Sequence, residues 1–385
     1  MSHCSAPSEP PRGPMLATSL CGRRAGAILR HMGRRDALTR LLGFWLGATA
    51  LSTGTVLSGS DAAAQQGRSI QPPTDRSAPT DLGDLARFNE SIVRIEASVP
   101  PEATSAASLG RERQGTGILL DDRSVLTIGY LTLEADAVML TTAEGRRIPA
   151  AVAGYDHTTG FGLVRALVPL QGRPLRLGDS DRIKARQRVL TLGQGETEAT
   201  ELYVLSRKPF SAGWEYLLES PLFTFPPVNN WSGAALIAAD DDTLIGVGSL
   251  IVNDAALEQQ GVPGNLWVPV NLLKPILADL LARGRRSGMV NPWLGVTTEN
   301  VRGNLMVVRV TRNGPAEAAG VAPGDIVVGV AGERVGDQAE FYRKVWKVGP
   351  AGSTIPLRVL KNGDVRDLTV KSIDRSDFLV RATGI

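Results

Sequence analysis

The sequence predicts a mostly-β protein, a barrel-type all-β domain closed by one helix and followed by a small α+β domain. Three observations predict it. Between Phe88 and about Gly284, short runs of branched residues are broken by Gly, Asp, Asn and Pro turns, the pattern of antiparallel strands. Helical spacing of apolar residues appears late in that stretch, at its end. From Pro292 a second unit carries its own strand, helix and hairpin signals. A chain of 385 residues fits two or three folded units plus non-globular segments.

Residues 1–31 are rich in Pro, Ser, Gly and Arg and lack apolar periodicity. From Met32 come basic residues, an apolar stretch around Leu41 to Leu57, and small residues at Ala62 to Ala64, which is signal-peptide order. Cleavage near Ala64 would leave only a transient membrane contact, whereas an uncleaved segment would anchor the chain. Arg34-Arg35 suits a twin-arginine signal or an ordinary basic start, and translation can begin at Met1 or at Met32. The expected division is an extension and signal segment (1–64), a polar linker (65–82), a β-rich domain (83–285) and a small domain (291–376). Cys4 and Cys21 both precede the linker, so neither disulfides nor thiols serve the folded part.

In the β-rich domain the strand candidates are Ser91–Ile95, Gly117–Leu120, Ala137–Thr141, Gly162–Val164, Arg188–Leu192 and Leu244–Ile251. A helix is expected over Asn271–Leu281, stopping near Gly284. Hydrophobic content of 43%, 21% charged residues and a net charge of +3 describe soluble globular protein. Arginine pairs such as Arg146-Arg147 and Arg285-Arg286 never extend into a long basic run, so no nucleic-acid partner is expected.

Several segments, in one order over about 170 residues, resemble the protease domain of the HtrA (DegP-like) family. They are Gln114-Gly-Thr-Gly-Ile118, Arg147-Ile-Pro-Ala-Ala-Val-Ala-Gly-Tyr-Asp156, Pro174-Leu-Arg-Leu-Gly-Asp-Ser180 and Asn265-Leu-Trp-Val-Pro-Val270. Beyond the linker, Asn313-Gly-Pro-Ala-Glu-Ala-Ala-Gly-Val-Ala-Pro-Gly-Asp-Ile-Val327 resembles the hallmark of PDZ domains in bacterial proteases. The resemblance implies a trypsin-like double antiparallel β-barrel, then a PDZ domain with a helix over Gln338–Lys347 and a hairpin of Ile355–Leu360 and Val365–Val370 turning at Asn362-Gly363.

Acyl transfer by serine needs a base, a carboxylate that orients it, and donors for the oxyanion. By resemblance Ser232, in Asn229-Asn-Trp-Ser-Gly-Ala-Ala-Leu236, holds the nucleophile position, as a vestige or as a small residue that a tight turn requires. The oxyanion donors would be Asn230 and Ser232; asparagine replaces a glycine but tolerates a left-handed backbone. Tyr130 stands at the histidine position of a Leu-Thr-x-x-His pattern, and a phenol of ordinary pKa is about one part in a thousand ionised at neutral pH. Gly160 stands at the aspartate position and can orient nothing. His157, the one histidine after the signal segment, reads as an exposed turn residue or as a relocated base, and Lys184 and Lys208 are the remaining amines to weigh.

PDZ domains take up an extended peptide as an added strand and hold its terminal carboxylate on loop amides. By resemblance that loop is Trp293, Leu294, Gly295 and Val296, unless the groove is empty and the domain only packs on the barrel. The resemblance thus implies a periplasmic, catalytically inactive homologue that binds unfolded or C-terminal segments of polypeptides as scaffold, chaperone or regulator, without metal or other cofactor. Two rivals are a serine endopeptidase with an unorthodox base and a structural subunit of assemblies with active homologues, the family commonly forming trimers.

Overall fold

A computed structural model of the chain describes residues 85–257 and 261–379. The signal segment, the two start sites and the 65–82 linker lie outside the described residues. A 3-10 turn at Leu85–Ser91 leads into β1 (Ile92–Ser98), followed by the short α1 (Ala106–Leu109) and β2 (Glu112–Leu119). Then come β3 (Ser124–Ile128), β4 (Ala137–Thr141), β5 (Arg147–Tyr155) and β6 (Phe161–Ala166). These six strands close a barrel in the order β1-β2-β3-β6-β5-β4, with antiparallel neighbours throughout.

The second barrel begins with β7 (Arg188–Leu192) and β8 (Thr200–Ser206). A separate hairpin of β9 (Phe210–Ala212) and β10 (Tyr216–Leu218) interrupts it before β11 (Leu222–Phe225). The barrel is completed by β12 (Ala235–Ala238), β13 (Leu244–Val252) and β14 (Gly264–Pro269), in the order β11-β14-β13-β12-β7-β8. The double barrel that the resemblance implies is therefore present.

The unbroken apolar runs have a packing reason. Every residue of β3 is buried: Val125 joins Ile95, Leu140 and Val164 inside the first barrel, whereas Leu126 and Ile128 join Leu190, Leu192 and Val247 in a core shared with the second. A strand buried on both faces needs no polar alternation. The closing helix is shorter than the periodicity predicts. A 3-10 turn at Val270–Leu272 precedes α2 (Leu277–Arg283), and Pro275 between them has no N–H to donate to a helical ladder. Gly284, at φ 73°, ends α2 in the left-handed conformation with its amide on the Leu280 carbonyl.

The small domain comprises β15 (Val296–Val301), β16 (Asn304–Val310), α3 (Pro315–Ala318), β17 (Ile326–Val330), β18 (Glu333–Arg334), α4 (Gln338–Val348), β19 (Thr354–Lys361), β20 (Asp364–Lys371) and α5 (Arg375–Phe378). Its sheet runs β15-β16-β17-β19-β20, with β18 paired to β17. Asp337 caps α4 by accepting from the Glu340 amide, and Phe341, Tyr342 and Val345 bury the apolar face. The β19–β20 hairpin turns through Asn362 and Gly363, both at positive φ, the two-residue turn that an Asn-Gly pair favours. Packing continues past residue 376, since the Phe378 ring in α5 lies 4.9 Å, centroid to centroid, from that of Trp293.

Candidate functional site

Ser232 lies in the turn before β12, at the contact between the barrels. Its carbonyl accepts from the Thr116 amide of β2 at 2.8 Å, which ties the turn to the first barrel. Gly233 follows at φ 74°, and a Cβ there would stand 2.2 Å from the Thr116 carbonyl oxygen, so both the left-handed backbone and the close approach require glycine. Asn230 does not use its tolerance of that conformation; the positive φ in this turn belongs to Gly233. The Asn230 side chain is exposed and donates from Nδ2 to Glu196 Oε1 at 3.2 Å. A carboxylate held on this turn opposes what an oxyanion site needs.

Tyr130 sits in the 3-10 turn Gly129–Leu131 after β3. The buried Arg113 fixes that turn, its Nη1 donating to the carbonyls of Tyr130 and Leu133, both at 2.8 Å. The Tyr130 hydroxyl is 2.8 Å from Ser232 Oγ and 3.1 Å from the Ser249 carbonyl oxygen in β13. A carbonyl can only accept, so both contacts are satisfied when Tyr130 donates to Ser249 and Ser232 donates to Tyr130. Trp231 Nε1 donates to the same Ser249 oxygen at 3.2 Å. Burial pushes the Tyr130 phenol up to about 12, against smaller opposing contributions from Ser232 and Trp231.

At Gly160 the backbone is left-handed, φ 80°, and a Cβ would meet the Tyr216 hydroxyl at 3.1 Å. That hydroxyl donates to the Thr159 carbonyl at 2.7 Å, so a tyrosine of β10 fills the space beside the position. His157 is half-buried rather than an exposed turn residue. Its ring stands edge-on to Tyr155 at 4.3 Å, and its Nδ1 is buried with no hydrogen-bond partner among the described residues. Burial, with the charge of Arg375, holds it well below the usual histidine range. Lys184 is exposed, and Lys208 pairs with Asp254 at 3.4 Å. Among the described residues, the one side chain hydrogen-bonded to Ser232 Oγ is Tyr130.

The loop before β15 is occupied. Leu294, Gly295 and Val296 donate their amides to the Glu215 carboxylate at 2.9, 2.7 and 3.0 Å. Trp293 differs from these three, because its amide donates to the Ile373 carbonyl at 3.0 Å and its side chain is buried against α5. Tyr342 Oη of α4 donates to the Ala212 carbonyl at 2.8 Å, and the Thr298 amide of β15 donates to the Gly213 carbonyl at 3.2 Å. Burial pushes the Glu215 carboxyl up to about 7, although the three amides and Arg375 pull the other way. Sequence reasoning missed Glu215, Tyr216, Arg375 and Tyr342. The only signal near the first two was a Gly213-containing turn between apolar residues, and nothing local points to a loop 79 residues downstream.

The fold and these two sites define a protein with a trypsin-like peptidase domain followed by a PDZ domain. Residues 115–247 match the family described as trypsin-like peptidase domain, and residues 292–372 the family described as PDZ domain. The chain is 25% identical over 302 residues to the Halomonas elongata protein named "Probable periplasmic serine endoprotease DegP-like", covering 74% of this chain and 61% of that protein. It is 24% identical over 273 residues to the Lactobacillus helveticus "Serine protease Do-like HtrA", covering 64% of each. The chain thus spans about six tenths of the length of these curated relatives. Among solved structures, "HtrA-type protease AlgW with decapeptide" aligns with a TM-score of 0.49 at 20% identity, over 77% of this chain and 98% of that one. The serine endoprotease from Yersinia pestis aligns at 0.46 and 20%, over 77% and 97%. In domain order and sequence the chain is similar to HtrA-type proteases.

Proposed function

We propose that this protein is an exported HtrA-family homologue whose barrel does not cut peptide bonds and whose PDZ groove binds unfolded or C-terminal polypeptide segments, serving as scaffold, chaperone or regulator. The observation that carries the first half is the Ser232–Tyr130 contact. Raised to about 12, the phenol is ionised in about one molecule in a hundred thousand at pH 7, so Ser232 has almost no proton acceptor. Loss of a triad base costs on the order of a millionfold in rate. The carboxylate position is Gly160, and the oxyanion turn carries Glu196 on the side chain of Asn230.

Peptide binding is supported by three successive amides that converge on one carboxylate at the start of an edge strand, the arrangement by which such grooves capture a chain terminus. Export is supported by the signal-like segment and by relatives named as periplasmic. One observation favours the endopeptidase reading: the 2.8 Å between Tyr130 Oη and Ser232 Oγ is the reach a base needs. Incubating the purified protein with unfolded casein separates the two. Intact casein, indistinguishable from that left by Ser232→Ala, is the expected result; fragments lost on Ser232→Ala would restore the protease.

A further inference from the structure

The hairpin of β9 and β10 belongs in sequence to the second barrel, yet its turn lies in the groove between β15 and α4. Ala212 pairs with Tyr216 across a three-residue turn, and Glu215 occupies its left-handed position at φ 61°. Glycine or asparagine adopts that conformation at lower cost, so a glutamate there is held by what its side chain touches. Both of its carboxylate oxygens receive the amides of Leu294, Gly295 and Val296.

Other contacts extend the match to a docked chain end. The Gly213 carbonyl accepts from the edge strand at Thr298, Tyr342 bridges the Ala212 carbonyl and the Glu215 amide, and Leu217 is buried within the PDZ core cluster. Arg375 of α5 donates to the Trp214 carbonyl at 3.0 Å. A carboxylate on successive amides, a carbonyl on the strand edge and an apolar side chain in the core are the features an extended peptide brings to such a groove.

We propose that the PDZ groove is gated from within: the hairpin of β9 and β10 occupies it as an internal ligand, and a polypeptide ending in a free carboxylate binds only by displacing Glu215. The gate rests on the peptide-binding reading above and adds its regulation. A tethered ligand acts at an effective concentration on the order of millimolar, so an external terminus must outcompete it. The apparent affinity of the groove falls in proportion to its open fraction. Displacement also reaches the barrel, because Tyr216, next in the chain, donates to Thr159 beside Gly160.

Two variants of the full chain open the gate in different ways. Glu215→Ala removes the acceptor on which the three amides converge. Gly213→Ala places a Cβ 2.7 Å from the Thr298 carbonyl oxygen and forces the turn away from β15 without touching the carboxylate. The readouts are hydrogen–deuterium exchange and fluorescence polarisation with a labelled pool of randomised decapeptides, either with a free C-terminal carboxylate or amidated. In both variants, residues 209–218 and 293–298 should exchange on the order of tenfold faster than in the wild type. Both should also bind the carboxylate pool on the order of tenfold more tightly and ignore the amidated one. Unchanged exchange over 293–298 in both variants, or wild-type binding as tight as theirs, overturns the gate while peptide binding stands. Open segments with no affinity for the carboxylate pool overturn both, leaving the hairpin a permanent latch.

Discussion

Ser232 meets a hydroxyl where acyl transfer requires a base, and the proton affinity of that hydroxyl decides its chemistry. Tyr130 matches the reach of a base but not its pKa, since burial disfavours the phenolate. Tyr130→Phe should therefore change stability and nothing else. Loss of the hydroxyl's two hydrogen bonds, to Ser232 and to the Ser249 carbonyl, predicts about 2 kcal/mol in urea denaturation, with casein left intact before and after. Installing a histidine and an aspartate is also expected to fail. Tyr130→His with Gly160→Asp supplies imidazole and carboxylate, but the aspartate would need a left-handed backbone and would meet the Tyr216 hydroxyl near 3.1 Å. Casein turnover by that double variant would show that the space beside Thr159 is not limiting. The meeting of Tyr130 with Ser232 was legible in the sequence because Leu-Thr-x-x-Tyr and the turn at Ser232 keep a recognisable spacing. Glu196 and Arg113 were not, because their roles depend on carbonyls and amides that only the folded turns bring within reach.

Among the elements, the hairpin of β9 and β10 couples the barrel to the PDZ domain. Glu215 is faced by Tyr342 from α4 and Arg375 from α5, besides the three loop amides, and burial still raises it from 4.5 to about 7. A carboxyl with a raised native pKa binds its proton more tightly folded than unfolded. Its stabilisation is complete below about pH 4.5 and is lost as pH rises through about 7. The difference corresponds to roughly 3 kcal/mol. Urea titrations across that window should show the wild type gaining stability over Glu215→Gln as pH falls from 7 to 4.5. Parallel curves would mean that Glu215 titrates as an ordinary surface carboxylate. Strands with clear alternation or branched runs were visible in the sequence, as was α4, whose apolar face repeats at helical spacing. The hairpin was not, since three-residue strands carry too little periodicity to read.

For the whole molecule, the linker between the domains is itself pinned. Arg286 forms a bidentate pair with Asp156, at 2.6 and 3.0 Å, and Asp156 is 3% exposed and also accepts from Thr159. Asp156→Asn leaves the arginine facing a neutral amide, and removing one partner of a buried pair predicts a loss of about 3 kcal/mol. Chemical denaturation should report it; a change below about 1 kcal/mol would place the pair among solvated surface contacts. Domain order was legible because each unit carries its own turn and motif signature. How the domains engage was not, because Glu215 and its amides meet only through tertiary packing.

Whether Ser232 lacks a base is decided by the rate at which a fluorophosphonate labels the purified protein, compared with Ser232→Ala. Equal, background labelling of both is expected. Labelling of the wild type that vanishes in Ser232→Ala would contradict it.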